Sequence, residues 1–169
     1  MSKSIKKLVI ISMIAAVYTA ISLALAPLSF GNIQIRIAEA LVILPLIYFP
    51  SVYGVILGCY LTNLIGAIMG VNLLGFIDVF VGTMATAISA YLTYRFRNVR
   101  IKNIPILSLM MPVIFNGIVV GIELGIVLFP QNILLGSLIS GIEVAIGELI
   151  AVILGLFLTN SLAKTKIFD

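Results

Sequence analysis

The chain contains no histidine, no tryptophan and a single cysteine, Cys59. Without histidine it lacks the commonest general base, proton relay and metal ligand. One cysteine permits neither a disulfide framework nor a thiolate metal site, so no metal is expected. Charge is scarce as well. Asp, Glu, Lys and Arg make up 9% of the 169 residues, against about 25% in soluble domains. There is no G-x-x-x-x-G-K-S/T phosphate loop, so the chain is not expected to hydrolyse ATP or to carry a cofactor of its own. No HExxH motif and no nucleophile–base set points to an enzyme. Apolar residues fill the chain instead: 62% are hydrophobic and the mean hydropathy is +1.29. This is the composition of an all-α integral membrane protein whose solvent is the lipid bilayer. The net charge of +4 therefore carries no implication of nucleic-acid binding.

A helix needs roughly 20 apolar residues to cross the hydrocarbon. Apolar stretches cover residues 6–26, 36–49, 51–69, 73–94, 104–128 and 133–162, which reads as six transmembrane helices in one domain, residues 1–169. Lys3, Lys6 and Lys7 precede the first stretch as they would in a signal peptide. No small-residue cleavage site and polar mature domain follow, so the stretch is expected to stay as the first span. The second stretch is short, about 14 residues or roughly 21 Å as an α-helix. It contains Pro45 and is expected to tilt, kink or enter partway. Its separation from the third rests on Phe49-Pro50-Ser51. Only the 27–35 and 95–103 connections have any length.

Six spans place the N-terminal tail, the 95–103 loop and the C-terminal tail on one side. Those regions hold nine of the ten cations: Lys3, Lys6, Lys7, Arg95, Arg97, Arg100, Lys102, Lys164 and Lys166. The positive-inside rule makes that side cytoplasmic, with both termini inside a bacterial cytoplasmic membrane. Arg36 falls on the opposite side.

Apart from Asp169, the acids are Glu39, Asp78, Glu123, Glu143 and Glu148. Counting helical rise places Asp78 and Glu123 roughly 8 Å below the outer rim. Arg36 and Glu39 fall at the rim, Glu143 deeper, and Glu148 near the middle. Charges in the outer half on four helices describe a cavity open to the outside. Phase agrees: Asn116 and Glu123 are seven apart and share one face of the fifth span. Gly117, Gly121 and Gly125 form a GxxxGxxxG stripe roughly opposite, suited to close packing. Asp78, Gly82, Thr86 and Ser89 share a face of the fourth span, and Asn63 on the third precedes Gly66-x-x-x-Gly70. On the sixth span Gly136, Ser140, Glu143 and Gly147 share a face, with Glu148 about 140° away from Glu143. Glu123 and Glu143 are thus the expected solute contacts. Asn116 and Asn63 support them, Asp78 comes next, Arg36, Glu39 and Gln34 are further expected contacts, and Glu148 is not expected to share the pocket's centre with Glu143. The alternative for all these groups is interhelical hydrogen bonding. A carboxylate at a helix centre costs about 2.5–3.5 kcal/mol, and only Arg36 is available to neutralise them.

The most distinctive stretch is residues 31–45, Gly-Asn-Ile-Gln-Ile-Arg-Ile-Ala-Glu-Ala-Leu-Val-Ile-Leu-Pro. Gln34, Arg36 and Glu39 lie here between two apolar runs. Arg36 and Glu39, at i and i+3, could simply neutralise each other. With Pro27, Gly31 and Asn32, the 27–35 loop suits a movable gate. The pattern Gln34-x-Arg36-x-x-Glu39-Ala40-Leu41 followed by Leu44-Pro45 resembles the signature of the QueT family. Those proteins are S components, the substrate-binding subunits of energy-coupling factor (ECF) transporters, associated with uptake of queuosine precursors. The resemblance implies an S-component-like bundle with a small-molecule solute. It also implies a transmembrane coupling subunit and two ATPase subunits as partners, with ATP used by the latter. Ser12, Ala16, Ala20 and Ala24 repeat every four residues, as the docking face for the coupling subunit does in similar proteins. The same stripe also suits helix packing within the chain.

A deazaguanine base, such as queuine or its aminomethyl precursor, agrees with this inventory. Its guanine-like edge offers adjacent N–H donors to a carboxylate. Its carbonyl needs a donor such as an asparagine amide or Arg36, and an ammonium on its side arm suits a second carboxylate. Another cationic, vitamin-like solute fits equally. A self-sufficient small transporter or channel, with the acids as a proton or cation path, and an assembly factor with no ligand remain open at this point.

Overall fold

The computed structural model describes residues 2–31, 34–165 and 167–168. Apart from a lone backbone pairing of Ile101 with Ile104, regular structure among them is helical. The elements are α1 (Lys3–Ala24), a single turn α2 (Ala26–Ser29), a 3-10 helix (Ile37–Leu46), α3 (Ser51–Ile68), α4 (Phe76–Arg95), α5 (Ile106–Leu128) and α6 (Ile133–Leu162). The five long helices α1, α3, α4, α5 and α6 have the length and composition to cross a membrane. Their bounds follow the apolar runs closely, because each run has the length that hydrocarbon demands.

The second apolar run departs from expectation. It forms a ten-residue 3-10 helix, where such runs seldom exceed three or four residues. It does not lie at an edge. Ala38 to Pro45 are all buried, and the segment touches α1, α3, α4, α5 and α6. Its narrow cross-section suits that central position. Gly147 and Gly155 of α6 let its backbone pass: a Cβ there would run into the carbonyls of Gln34 and Ala40 respectively. The break after it occurs where the sequence places it, at Phe49-Pro50, with α3 starting at Ser51.

Small residues set the other close approaches. Gly54 and Gly58 of α3 lie against Ile14 and Tyr18 of α1. The Gly117, Gly121 and Gly125 stripe of α5 lies against Gly141 and Ser137 of α6, as small-residue interfaces in membranes do. The largest core cluster joins Tyr18, Val42, Val55 and Cys59. Large apolar side chains cover the outside, among them Leu134, Phe157 and Phe80. A soluble protein would bury them; in hydrocarbon their exposure carries no penalty.

The basic regions gather at one end. Lys3, Lys6 and Lys7 share a cleft with Tyr48 and Phe168, and the rings of Tyr48 and Phe168 stack 4.8 Å apart. Phe49 contacts Tyr94, at the end of α4 that leads into the 95–103 loop, with ring centroids 4.5 Å apart. Lys166, Asp169, and Asn32 and Ile33 of the expected gate lie outside the described residues.

Candidate functional site

The 3-10 helix carries polar groups into the middle of the bundle. Arg36 stands at its start and Glu39 in its first turn. Sequence depth counting put both at the rim, but Arg36 is 6% exposed and Glu39 is fully buried. The count treated the segment as an ordinary span entering from the surface, whereas it begins already enclosed by α3, α4 and α6. The direct ion pair of Arg36 is not with Glu39. Nη2 of Arg36 pairs with Oδ2 of Asp78 on α4 at 3.3 Å. Nη1 lies 3.7 Å from the Cys59 sulfur, and the guanidinium sits 5.6 Å from the centroid of the Phe30 ring.

Asp78 is fixed from two further sides. Nδ2 of Asn72 donates to its Oδ2 at 2.8 Å, and Nδ2 of Asn63 donates to its backbone carbonyl at 2.9 Å. Asp78, Gly82, Thr86 and Ser89 are all buried, so the shared face read from spacing is the inward face of α4. Thr86 donates to Oε1 of Glu39 at 3.1 Å, and the Tyr18 hydroxyl donates to the same oxygen. Across the bundle, Nδ2 of Asn116 on α5 donates to Oε1 of Glu148 on α6 at 2.7 Å. Arg36, Glu39, Asp78, Asn116, Glu123 and Glu148 are thus buried together, with four carboxyl groups to one guanidinium.

Sequence reasoning missed several members. Phase put Glu143 towards the pocket and Glu148 about 140° from it, whereas in the structure Glu148 is the more deeply buried of the two. Glu148 is 5% exposed and bonded to Asn116. Glu143 is half-buried, outside the bonded cluster. The buried stripe of α6 runs Gly136, Ser140, Val144, Glu148, along an i+4 row. Such rows incline to the helix axis, so a stripe drawn parallel to the axis selects the wrong glutamate. Tyr18 also escaped notice, although a phenol in mid-span needs a hydrogen-bond partner. Cys59 and Asn72 gave no signal on their own.

Burial leaves several polar atoms unsatisfied. Among the described residues, Gln34 Nε2, Arg36 Nε, Glu39 Oε2, Asn116 Oδ1, Glu148 Oε2 and both oxygens of Glu123 have no hydrogen-bond partner. Each such group costs about 1–3 kcal/mol. Gln34, Arg36, Thr86, Asn116 and Glu148 line a small closed cavity, with room for about one water molecule. A larger groove of about 490 Å³ runs between α5 and α6, lined by Ile114, Ile118, Leu134 and Ile142. It has almost no polar surface with which to recognise a polar solute. The stripe Ser12, Ala16, Ala20 and Ala24 is exposed along α1, on the surface and away from the cluster.

No group of His, Cys, Asp or Glu side chains among the described residues could hold a metal ion. The arrangement can offer donors and acceptors to a polar solute, and its excess of carboxyls favours a cationic one. No curated protein and no solved structure matches the chain. The family model for QueT transporters matches residues 8–164, nearly its whole length, and this multi-pass membrane protein belongs to that transporter family.

Proposed function

We propose that the chain is the S component of an ECF-type ABC importer, binding a queuosine precursor such as queuine or its aminomethyl-deazaguanine precursor. The observation that carries this reading is the buried cluster with four carboxyls, one guanidinium and a set of unpartnered polar atoms around one cavity. Here acceptors are left over, which suits a solute rich in N–H donors and carrying positive charge. The chain is then one domain of six crossings, residues 1–169, with the 3-10 helix as the second. Its basic end faces the cytoplasm of a bacterium.

The cavity holds about one water, so the solute enters when the segment carrying Gln34 and Arg36 lifts from α6. The backbone of that segment is tied back to the α2 turn, with Ile35 N–H donating to the Leu28 carbonyl at 3.0 Å. This is the gate. The exposed face of α1 docks the coupling subunit, and two ATPase subunits supply the energy.

Mass spectrometry of the purified chain tests the solute. A bound deazaguanine base is expected. A different cationic, vitamin-like molecule would keep the S-component reading and replace the substrate. Reconstitution into vesicles tests the energetics. Uptake should need the coupling subunit, the ATPases and ATP; uptake by this chain alone would favour a self-sufficient transporter.

A further inference from the structure

Resting on that solute-binding reading, the cluster divides into two parts with different chemistry. The inner part is half satisfied. The bond between Asn116 and Glu148 leaves Oδ1 of Asn116 and Oε2 of Glu148 unpartnered. Both residues line the cavity. Gln34, 4% exposed, brings an unpartnered Nε2 to the same wall. With Nε of Arg36, two residues with free acceptors and two with free donors therefore line the cavity. That is a complement for the edge of a planar heterocycle, which presents donors beside an acceptor.

The outer part is a bare carboxyl group. Glu123 is 6% exposed and neither oxygen has a partner. The charged groups acting on it are Asp78 and Arg36, and Arg36 is already paired with Asp78. A buried carboxylate without a donor, set near a second acid, is costly unless it takes up a proton or a cation reaches it. Asn116 and Glu123 are seven residues apart on α5. They share a face, roughly 10 Å apart along the axis, a separation a small ring with a short arm can bridge.

We infer a division of roles within that site: Glu148, Asn116 and Gln34 hold the edge of the solute's ring, and Glu123 pairs with its amine. Glu123 then sets the choice between amine-bearing and amine-free solutes. Glu148 sets the affinity for the ring that both share.

The test titrates the purified full-length chain with aminomethyl-deazaguanine and with methyl-deazaguanine, which keeps the ring and lacks the amine. The wild type should prefer the amine. Glu123→Gln should cut the amine-to-methyl affinity ratio by about ten- to a hundredfold. Glu148→Gln should weaken both ligands by a similar factor and keep the ratio. If either variant fails to fold, Glu123→Asp and Gln34→Ala ask the same two questions, the first lowering the ratio and the second weakening both ligands. A wild type that binds neither compound overturns the solute assignment, and this inference with it. A wild type that binds, with an unchanged ratio in the Glu123 variant or an altered one in the Glu148 variant, overturns the division of roles alone.

Discussion

The hydroxyl of Tyr18 donates to Oε1 of Glu39, and this bond ties α1 to the buried centre of the bundle. Tyr18 is fully buried, and its ring lies against Gly58 of α3. On the other side of α1, Ser12, Ala16, Ala20 and Ala24 face outward. One helix thus carries a candidate docking face on one side and a contact with the polar cluster on the other. Tyr18→Phe keeps the packing and removes the donor, leaving Oε1 of Glu39 with Thr86 alone. The variant should lose about 1.5–3 kcal/mol of stability, the usual range for a hydrogen bond to a charged group. The readout is the midpoint of thermal unfolding in detergent. A midpoint equal to that of the wild type would mean that Glu39 does not depend on this donor.

The exposed face of α1 makes a separate prediction. Ala20→Trp adds bulk at an exposed position of α1. Solute binding by the isolated chain should stay within about twofold of wild type, as for other surface changes. ATP-driven uptake by the assembled transporter should be lost. Normal uptake would place the docking surface elsewhere.

Topology is open to labelling. Cysteine introduced at Asn98, after Cys59→Ser, should react with an impermeant reagent only when the cytoplasmic side is accessible. Cys59 itself is fully buried, so its replacement removes little background. Reaction from outside intact cells would refute the orientation drawn from the basic residues.

How much of this was legible follows from the physics of each element. α6 runs Ile133–Leu162 as the apolar stretch does, because the bilayer sets helix length and Asn132 caps the start, accepting from the Leu135 N–H. The inward face of α4 was legible because Asp78, Gly82, Thr86 and Ser89 carry a clear polar period. The 3-10 geometry of Ile37–Leu46 was not. Apart from Glu39 the run is apolar and has no period to read, and five helices surround it. The ion pair of Arg36 with Asp78 spans 42 positions and depends on that placement. The burial of Glu148 was not legible because the choice of which inclined row packs inward is made by the helix pair, not by either helix alone.

The proposed gate can be loosened through the backbone that carries Gln34. A Cβ at Gly147 would meet the carbonyl of Gln34 and the Cα of Ile35. Gly147→Ala should therefore push the 34–36 segment off α6. Faster solute exit is expected, measured by chase of a bound labelled base. An unchanged exit rate in a folded variant would mean that this segment is not the gate.

The two glutamates of α6 give the sharpest contrast. Both are acids on one helix, five residues apart, so composition and helix propensity do not distinguish them. Their surroundings do. Glu148 is buried, bonded to Asn116 and turned to the cavity, whereas Glu143 is half-buried and outside that network. Removing a charged partner from a closed site costs about 1.5–3 kcal/mol, or roughly ten- to a hundredfold in affinity. Glu148→Gln should weaken solute binding by that range. Glu143→Gln should change it by no more than about twofold, as a substitution outside the network does. Calorimetric titration of the two variants beside wild type reads both numbers. Thermal unfolding without solute should show Glu148→Gln folded, since the amide still accepts from Asn116 through its carbonyl oxygen. The opposite order, with Glu143→Gln the weaker binder, would mean that the solute sits against the outer edge of α6 and that the buried cluster is structural.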